Sequence, residues 1–144
     1  MRKPNNGTIT TDEIVKAYQR AFSVPWWRTL APSCIHVCFH LADQTYQPAD
    51  FDKIAEVVAL DQSDKEEYVA EDFDCDDFAF SLMGAFHRDR ETAAMPIFIT
   101  WVLTPGGGHA VVSFYNGVDV TIIEPQNDTI FAVPKTWSLM LIIG

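Results

Sequence analysis

The sequence predicts an α+β domain, and three observations carry that prediction. Apolar residues recur at helical spacing in the stretches before residue 90. From residue 96 onward the texture shifts to short β-branched and aromatic runs broken by turn signals, which is the pattern of helices first and an antiparallel sheet second. The chain has 144 residues, 48% of them apolar and 21% charged, enough for one domain burying roughly two thirds of its unfolded surface. No fixed repeat, low-complexity tract or linker divides it. Residues 1–9 read as a flexible start and residues 10–144 as a single domain.

Thr10 and Glu13 have capping-box spacing. Ile14, Ala17, Tyr18, Ala21 and Phe22 then form one face of an amphipathic helix that must end before Pro25. Trp26 and Trp27 follow and read as core anchors. Residues 34–41 alternate as a short strand, with Ile35, Val37, Phe39 and Leu41 on one face. Cys34, His36, Cys38 and His40 share the other face, and four donors on one strand face cannot all reach one tetrahedral ion, so no zinc site is predicted. Asp50 opens a second helix with Phe51, Ile54, Ala55, Val58 and Ala59 at helical spacing. An acidic loop covers residues 61–67, and a third helix begins near Cys75. Strand-like runs occupy residues 97–102, 109–115, 118–123, 130–133 and 139–143. Asn116-Gly117 reads as a two-residue hairpin turn.

Twenty acids against ten Lys and Arg give a formal charge of −10, which repels a phosphate backbone and argues against nucleic acid as a partner. No apolar run reaches the ~18–20 residues of a membrane helix, and no apolar segment follows the basic N-terminus as a secretory signal requires. The expectation is a cytoplasmic protein with no membrane partner. Three cysteines (Cys34, Cys38 and Cys75) do not make a disulfide framework.

The stretch from Glu71 to Phe80 carries the most chemistry. Cys75, Phe78, Ala79, Leu82, Met83 and Phe86 form a helical stripe, Asp74 is a natural N-cap, and Asp76 and Asp77 complement the dipole in the first turn. Cys75 therefore sits beside free backbone N–H groups, which favour thiolate and can hold an oxyanion. His109 follows Gly106-Gly107-Gly108 and opens a strand. Glu124 lies between apolar neighbours at the end of the next strand, an odd place for an acid unless it is paired. The set supplies a nucleophile (Cys75), a general base (His109) and an orienting group (Glu124, or Asn127 as a neutral alternative).

Asp74-Cys75-Asp76-Asp77-Phe78-Ala79, Gly108-His109-Ala110-Val111-Val112 and Ile123-Glu124-Pro125-Gln126 together resemble the papain-like cysteine protease module found as the C-terminal domain of mushroom agglutinins of the MOA type. They are also similar to transglutaminase-like cysteine peptidases. The resemblance covers about residues 40–130 and implies a papain-like fold, with the nucleophile at a helix start and the other two residues on the sheet. It implies a cysteine hydrolase, a peptidase or amidase forming a thioester acyl-enzyme, or an amide-transferring variant, with a protein or peptide as substrate. The sugar-binding repeats of the agglutinins are missing, and a second oxyanion donor is unassigned, with Gln44, Tyr46 and Gln62 nearest upstream. No cofactor is required by the residues themselves. The agglutinin type is calcium-dependent, and Asp74, Asp76, Asp77 and Glu124 are the carboxylates offered for such an ion. The alternative function is a catalytically idle binding or structural module, viral or phage-borne.

Overall fold

A computed structural model describes residues 7–29 and 37–144. A two-residue strand β1 (Ile9–Thr10) leads into α1 (Thr11–Ala21), and a short 3-10 turn (Trp26–Thr29) follows. Next come β2 (Cys38–His40), β3 (Thr45–Tyr46), α2 (Phe51–Leu60), a second 3-10 turn (Ser63–Lys65) and α3 (Cys75–Arg88). Five strands complete the described chain: β4 (Ile97–Thr104), β5 (Gly107–Tyr115), β6 (Val120–Glu124), β7 (Thr129–Ala132) and β8 (Ser138–Ile143).

β1 pairs with β3, while the other strands form a six-stranded sheet in the order β2-β8-β4-β5-β6-β7. Every neighbouring pair in that sheet is antiparallel except β2 and β8, which run parallel with Cys38 opposite Leu141. The expected papain-like arrangement, N-terminal helices packed on a C-terminal antiparallel sheet, is corrected here. The sheet is mixed, strands are interleaved with the three short helices, and helices cover both of its faces. A parallel pair needs a long crossover, and no local pattern in residues 38–40 announces a partner so far along the chain.

Period-two alternation builds the two faces. Phe98, Val102, Val111, Tyr115, Val120, Ile122, Leu139 and Ile142 pack against Ile14, Ala17 and Tyr18 of α1. Their chain neighbours Ile97, Ile99, Ala110, Val112, Phe114 and Ile123 pack against Ile54 and Val58 of α2 and Ala79, Leu82 and Phe86 of α3. Within the α1 face, the Tyr18 hydroxyl and Ser113 Oγ lie 2.6 Å apart, and Ser113 Oγ is also 2.6 Å from Thr100 Oγ1. The chain satisfies its own buried hydroxyls there, and burial pushes the Tyr18 hydroxyl well above the usual phenol range.

All three helix starts are where the sequence puts them. Thr10 and Glu13 close a reciprocal capping box on α1, Asp50 caps α2 through the N–H groups of Asp52 and Lys53, and Asp74 precedes α3. Three local expectations are corrected. Trp26 and Trp27 are not core anchors but surface residues, 76% and 48% exposed. Ile9 is buried and paired with Tyr46 rather than part of a flexible start. The loop after β5 holds four residues, because Tyr115 faces Val120 across the ladder and the Asn116 side chain accepts from Val118 N and Asp119 N. The tight turn is instead Pro105-Gly106, with Thr104 opposite Gly107; Gly107 has φ +121, which glycine adopts without strain. Cys34 and His36 lie outside the described residues.

Candidate functional site

The segment ahead of Cys75 is a tight reversal. Val69 and Phe73 exchange backbone hydrogen bonds of 2.9 and 2.8 Å, and Glu71 takes φ +66 at the bend. Phe73 then meets Phe78 edge-on at 4.8 Å, and Tyr68 stacks over Phe78 at 6.5 Å. This aromatic clasp fixes the entry to α3, whose first residue is Cys75. The thiol is half-buried and free, and it packs against the cluster on the α2–α3 face of the sheet. The Asp77 carboxylate reaches back to accept from Asp74 N at 3.1 Å. Asp74 and Asp76 share a hydrogen bond that holds Asp74 below the ordinary carboxylate range and raises Asp76. Asp74, Cys75 and Asp76 bring their ligand atoms within 4.8 Å of one another.

His109 and Glu124 meet. Val112 faces Ile123, so continuing the register sets Glu124 against Val111, and His109 lies two residues further along the same face. The contact runs from His109 Nε2 to Glu124 Oε2 at 2.6 Å, with both side chains mostly buried. The other carboxylate oxygen accepts from Gln126 N at 3.3 Å. Asn127, the alternative partner, does not reach the ring; its Oδ1 accepts from Thr129 N and Thr129 Oγ1 in the next turn. His109 also meets Trp137 edge-on at 6.2 Å, and Trp137 in turn meets Phe131 at 5.8 Å. Trp137 carries no sequence signal of such a role, being a lone aromatic after Pro134.

Cys75 stands apart from this pair in one respect. His109, with Val102 opposite it, belongs to the face that packs α1, whereas the neighbours of Cys75 belong to the face that packs α3. Among the described residues the Cys75 thiol makes no hydrogen bond. Of the upstream oxyanion candidates, Tyr46 is buried and donates to Gly144 O at 3.3 Å, and Gln62 donates to Asp61 O at 3.0 Å. Gln44 is exposed.

A separate open groove of about 710 Å³ runs between α2 and α3. Val57, Leu60, Phe73 and Ala85 give it apolar walls, while Gln62, Glu66, Ser81 and Arg88 supply polar atoms. Neither His109 nor Glu124 lines it.

No family model matches the chain, and no curated protein matches it in sequence. Solved structures do match. The chain is similar to PSL1a in the structure titled "PSL1a-E64 complex", at 20% identity and a TM-score of 0.76, over 96% of this chain and 51% of that one. It is also similar to Polyporus squamosus lectin bound to the human-type influenza-binding epitope Neu5Aca2-6Galb1-4GlcNAc, at 19% identity and a TM-score of 0.67, over 100% of this chain and 55% of that one. The fold is that of about half of a mushroom lectin chain. This chain spans about half the length of those lectin chains, and the likeness is one of architecture. It replaces the papain-like fold, and it conflicts with the cysteine protease and catalytic triad readings that came with it. The mushroom-agglutinin half of the resemblance stands as a shared lectin fold. Among the described residues no helix is long and apolar enough to cross a membrane.

Proposed function

We propose that the chain is a binding module for a small, hydroxyl-bearing polar ligand, seated in the groove between α2 and α3. The observation that carries the reading is the architecture, matched at a TM-score of 0.76 over 96% of the chain by a lectin structure. One neighbour's title names a bound oligosaccharide. The groove has the composition such a ligand needs: apolar walls with one aromatic ring for the carbon faces, and a few convergent polar groups for the hydroxyls. Arg88 is exposed at its rim, and a guanidinium there can hold a carboxylate or a pair of hydroxyls.

The test is calorimetric titration with a panel of oligosaccharides that includes Neu5Aca2-6Galb1-4GlcNAc. Saturable binding to at least one of them, weakened about tenfold or more in Arg88→Ala at unchanged melting temperature, supports the reading; tenfold is the ~1.4 kcal/mol of one good charged hydrogen bond. No binding anywhere in the panel at millimolar concentration overturns it.

A further inference from the structure

Charge is unevenly distributed in the groove between α2 and α3. Asp61, Glu66 and Asp89 line it against a single guanidinium, that of Arg88. Glu66 and Arg88 are both exposed, and among the described residues neither side chain is engaged in an ion pair. Asp61 accepts from Ser63 N at 3.1 Å, a hydrogen bond that leaves its charge in place. The Asp89 carboxylate accepts from Glu91 N at 2.8 Å and meets Lys53 Nζ at 3.4 Å. The Glu91 N–H, helped by Lys53, holds Asp89 below the ordinary carboxylate range, so it is ionised at neutral pH. Lys53 does not neutralise it, because Glu56 and Glu91 lie 3.2 and 3.6 Å from the same ammonium.

The groove is therefore negative although one cation lies in it, and the whole chain adds to that field with a formal charge of −10. Clefts lined mainly by one sign of charge focus the field on whatever enters them, and a screening length of about 8 Å at physiological salt lets all four lining charges act on a ligand seated among them. A ligand carboxylate is repelled more than it is held. An ammonium gains charge-assisted hydrogen bonds, roughly twice as strong as neutral ones. Phe73 lies in the same groove, and an aromatic face attracts a cation as well as stacking on carbon.

We propose that the groove selects a hydroxylated ligand bearing a protonated amine, an amino sugar with its amine free, and disfavours sialylated and other acidic glycans. Glu66 takes the ammonium, since no cation of the chain competes for its carboxylate. Arg88 then serves ligand hydroxyls rather than a ligand carboxylate. The inference rests on the reading of this groove as the binding site and adds the charge of what binds there.

The experiment is calorimetric titration of the full chain with a glucosamine trimer, with its fully N-acetylated counterpart and with Neu5Aca2-6Galb1-4GlcNAc. Mildly acidic pH keeps the sugar amines protonated and the groove carboxylates ionised. One free-amine trimer bound per chain is expected, at least about tenfold tighter than the N-acetylated trimer, which is the scale of one charge-assisted hydrogen bond. The sialylated trisaccharide should bind weakest, and the gap should shrink in ~1 M salt, where screening reaches about 3 Å. Glu66→Gln, an exposed and nearly isosteric change, should keep the melting temperature and the affinity for the N-acetylated trimer while losing most of the preference for the amine. The proposal is overturned if the N-acetylated or sialylated sugar binds as tightly as the free amine, or if the preference survives Glu66→Gln undiminished; either result leaves the groove standing as a glycan site. Binding of none of the three sugars overturns the proposal and counts against the binding-module reading beneath it.

Discussion

Glu124 shows what a single residue can and cannot announce. An acid between Ile123 and Pro125 at a strand end is legible as a paired group, because leaving it unpaired would be expensive, and His109 is its partner at 2.6 Å. Glu124→Ala should cost about 1–3 kcal/mol, the penalty for leaving a mostly buried partner unsatisfied, read from the urea midpoint at constant slope. Ser113→Ala should cost about as much, because it strands both the Tyr18 and Thr100 hydroxyls in the α1 face. The burial of Asp64 and Asp128 could not be read in the same way. Both lie in polar, acidic stretches where a solvated carboxylate is the ordinary reading, and only the fold leaves one oxygen of each buried without a hydrogen-bond partner. Nor could the sequence tell on which side of the sheet His109 would sit relative to Cys75. Register and face are properties of the pairing, and a one-residue slip exchanges them.

At the scale of elements, the helices were the most legible part because their signals are local. Thr10 and Glu13 closed the capping box their spacing predicted. Thr10→Ala should cost about 1 kcal/mol, measured by chemical denaturation, and should increase amide exchange in the first turn of α1. Leu82, fully buried between α3 and the sheet, carries more, and Leu82→Ala should cost about 2–5 kcal/mol. The turns were less legible. Asn116-Gly117 has the composition of a two-residue hairpin, but the Asn116 side chain spans the loop by accepting from two backbone N–H groups, which stabilises a four-residue connection. Trp26 and Trp27 misled for a different reason, since hydrophobicity shows that a side chain gains from burial without showing that anything covers it.

For the molecule as a whole, the five strands from Ile97 to Ile143 were readable as strands, while the order in which they pair was not. Parallel pairing of β2 with β8 makes the sheet mixed, and both faces carry helices. Acid behaviour is also set at this scale. The Asp128 carboxyl is raised above its ordinary 3.8 by burial, followed by the charges of Asp64 and Asp61, so its protonated form is favoured by folding. The stability it contributes is fully present below pH 3.8 and is lost as pH rises through the elevated native value. Asp89 has the opposite sign. Accepting from Glu91 N and pairing with Lys53, its carboxyl is held low, so its contribution is present above 3.8 and lost as pH falls. Asp128→Asn should therefore raise stability near neutral pH and leave it nearly unchanged at pH 3, as measured by urea unfolding across that range.

The seam between Cys38 and Leu141 has a kinetic consequence. Joining it closes a loop of about a hundred residues, an entropic toll that no nearby contact offsets in advance. Refolding should accordingly be limited by the arrival of β8 in the slot between β2 and β4, with the β4–β5 hairpin assembled well before it. An encounter complex lacking that strand would expose two bare ladders, which makes concentration during refolding, more than temperature, the variable that decides between recovery and precipitation.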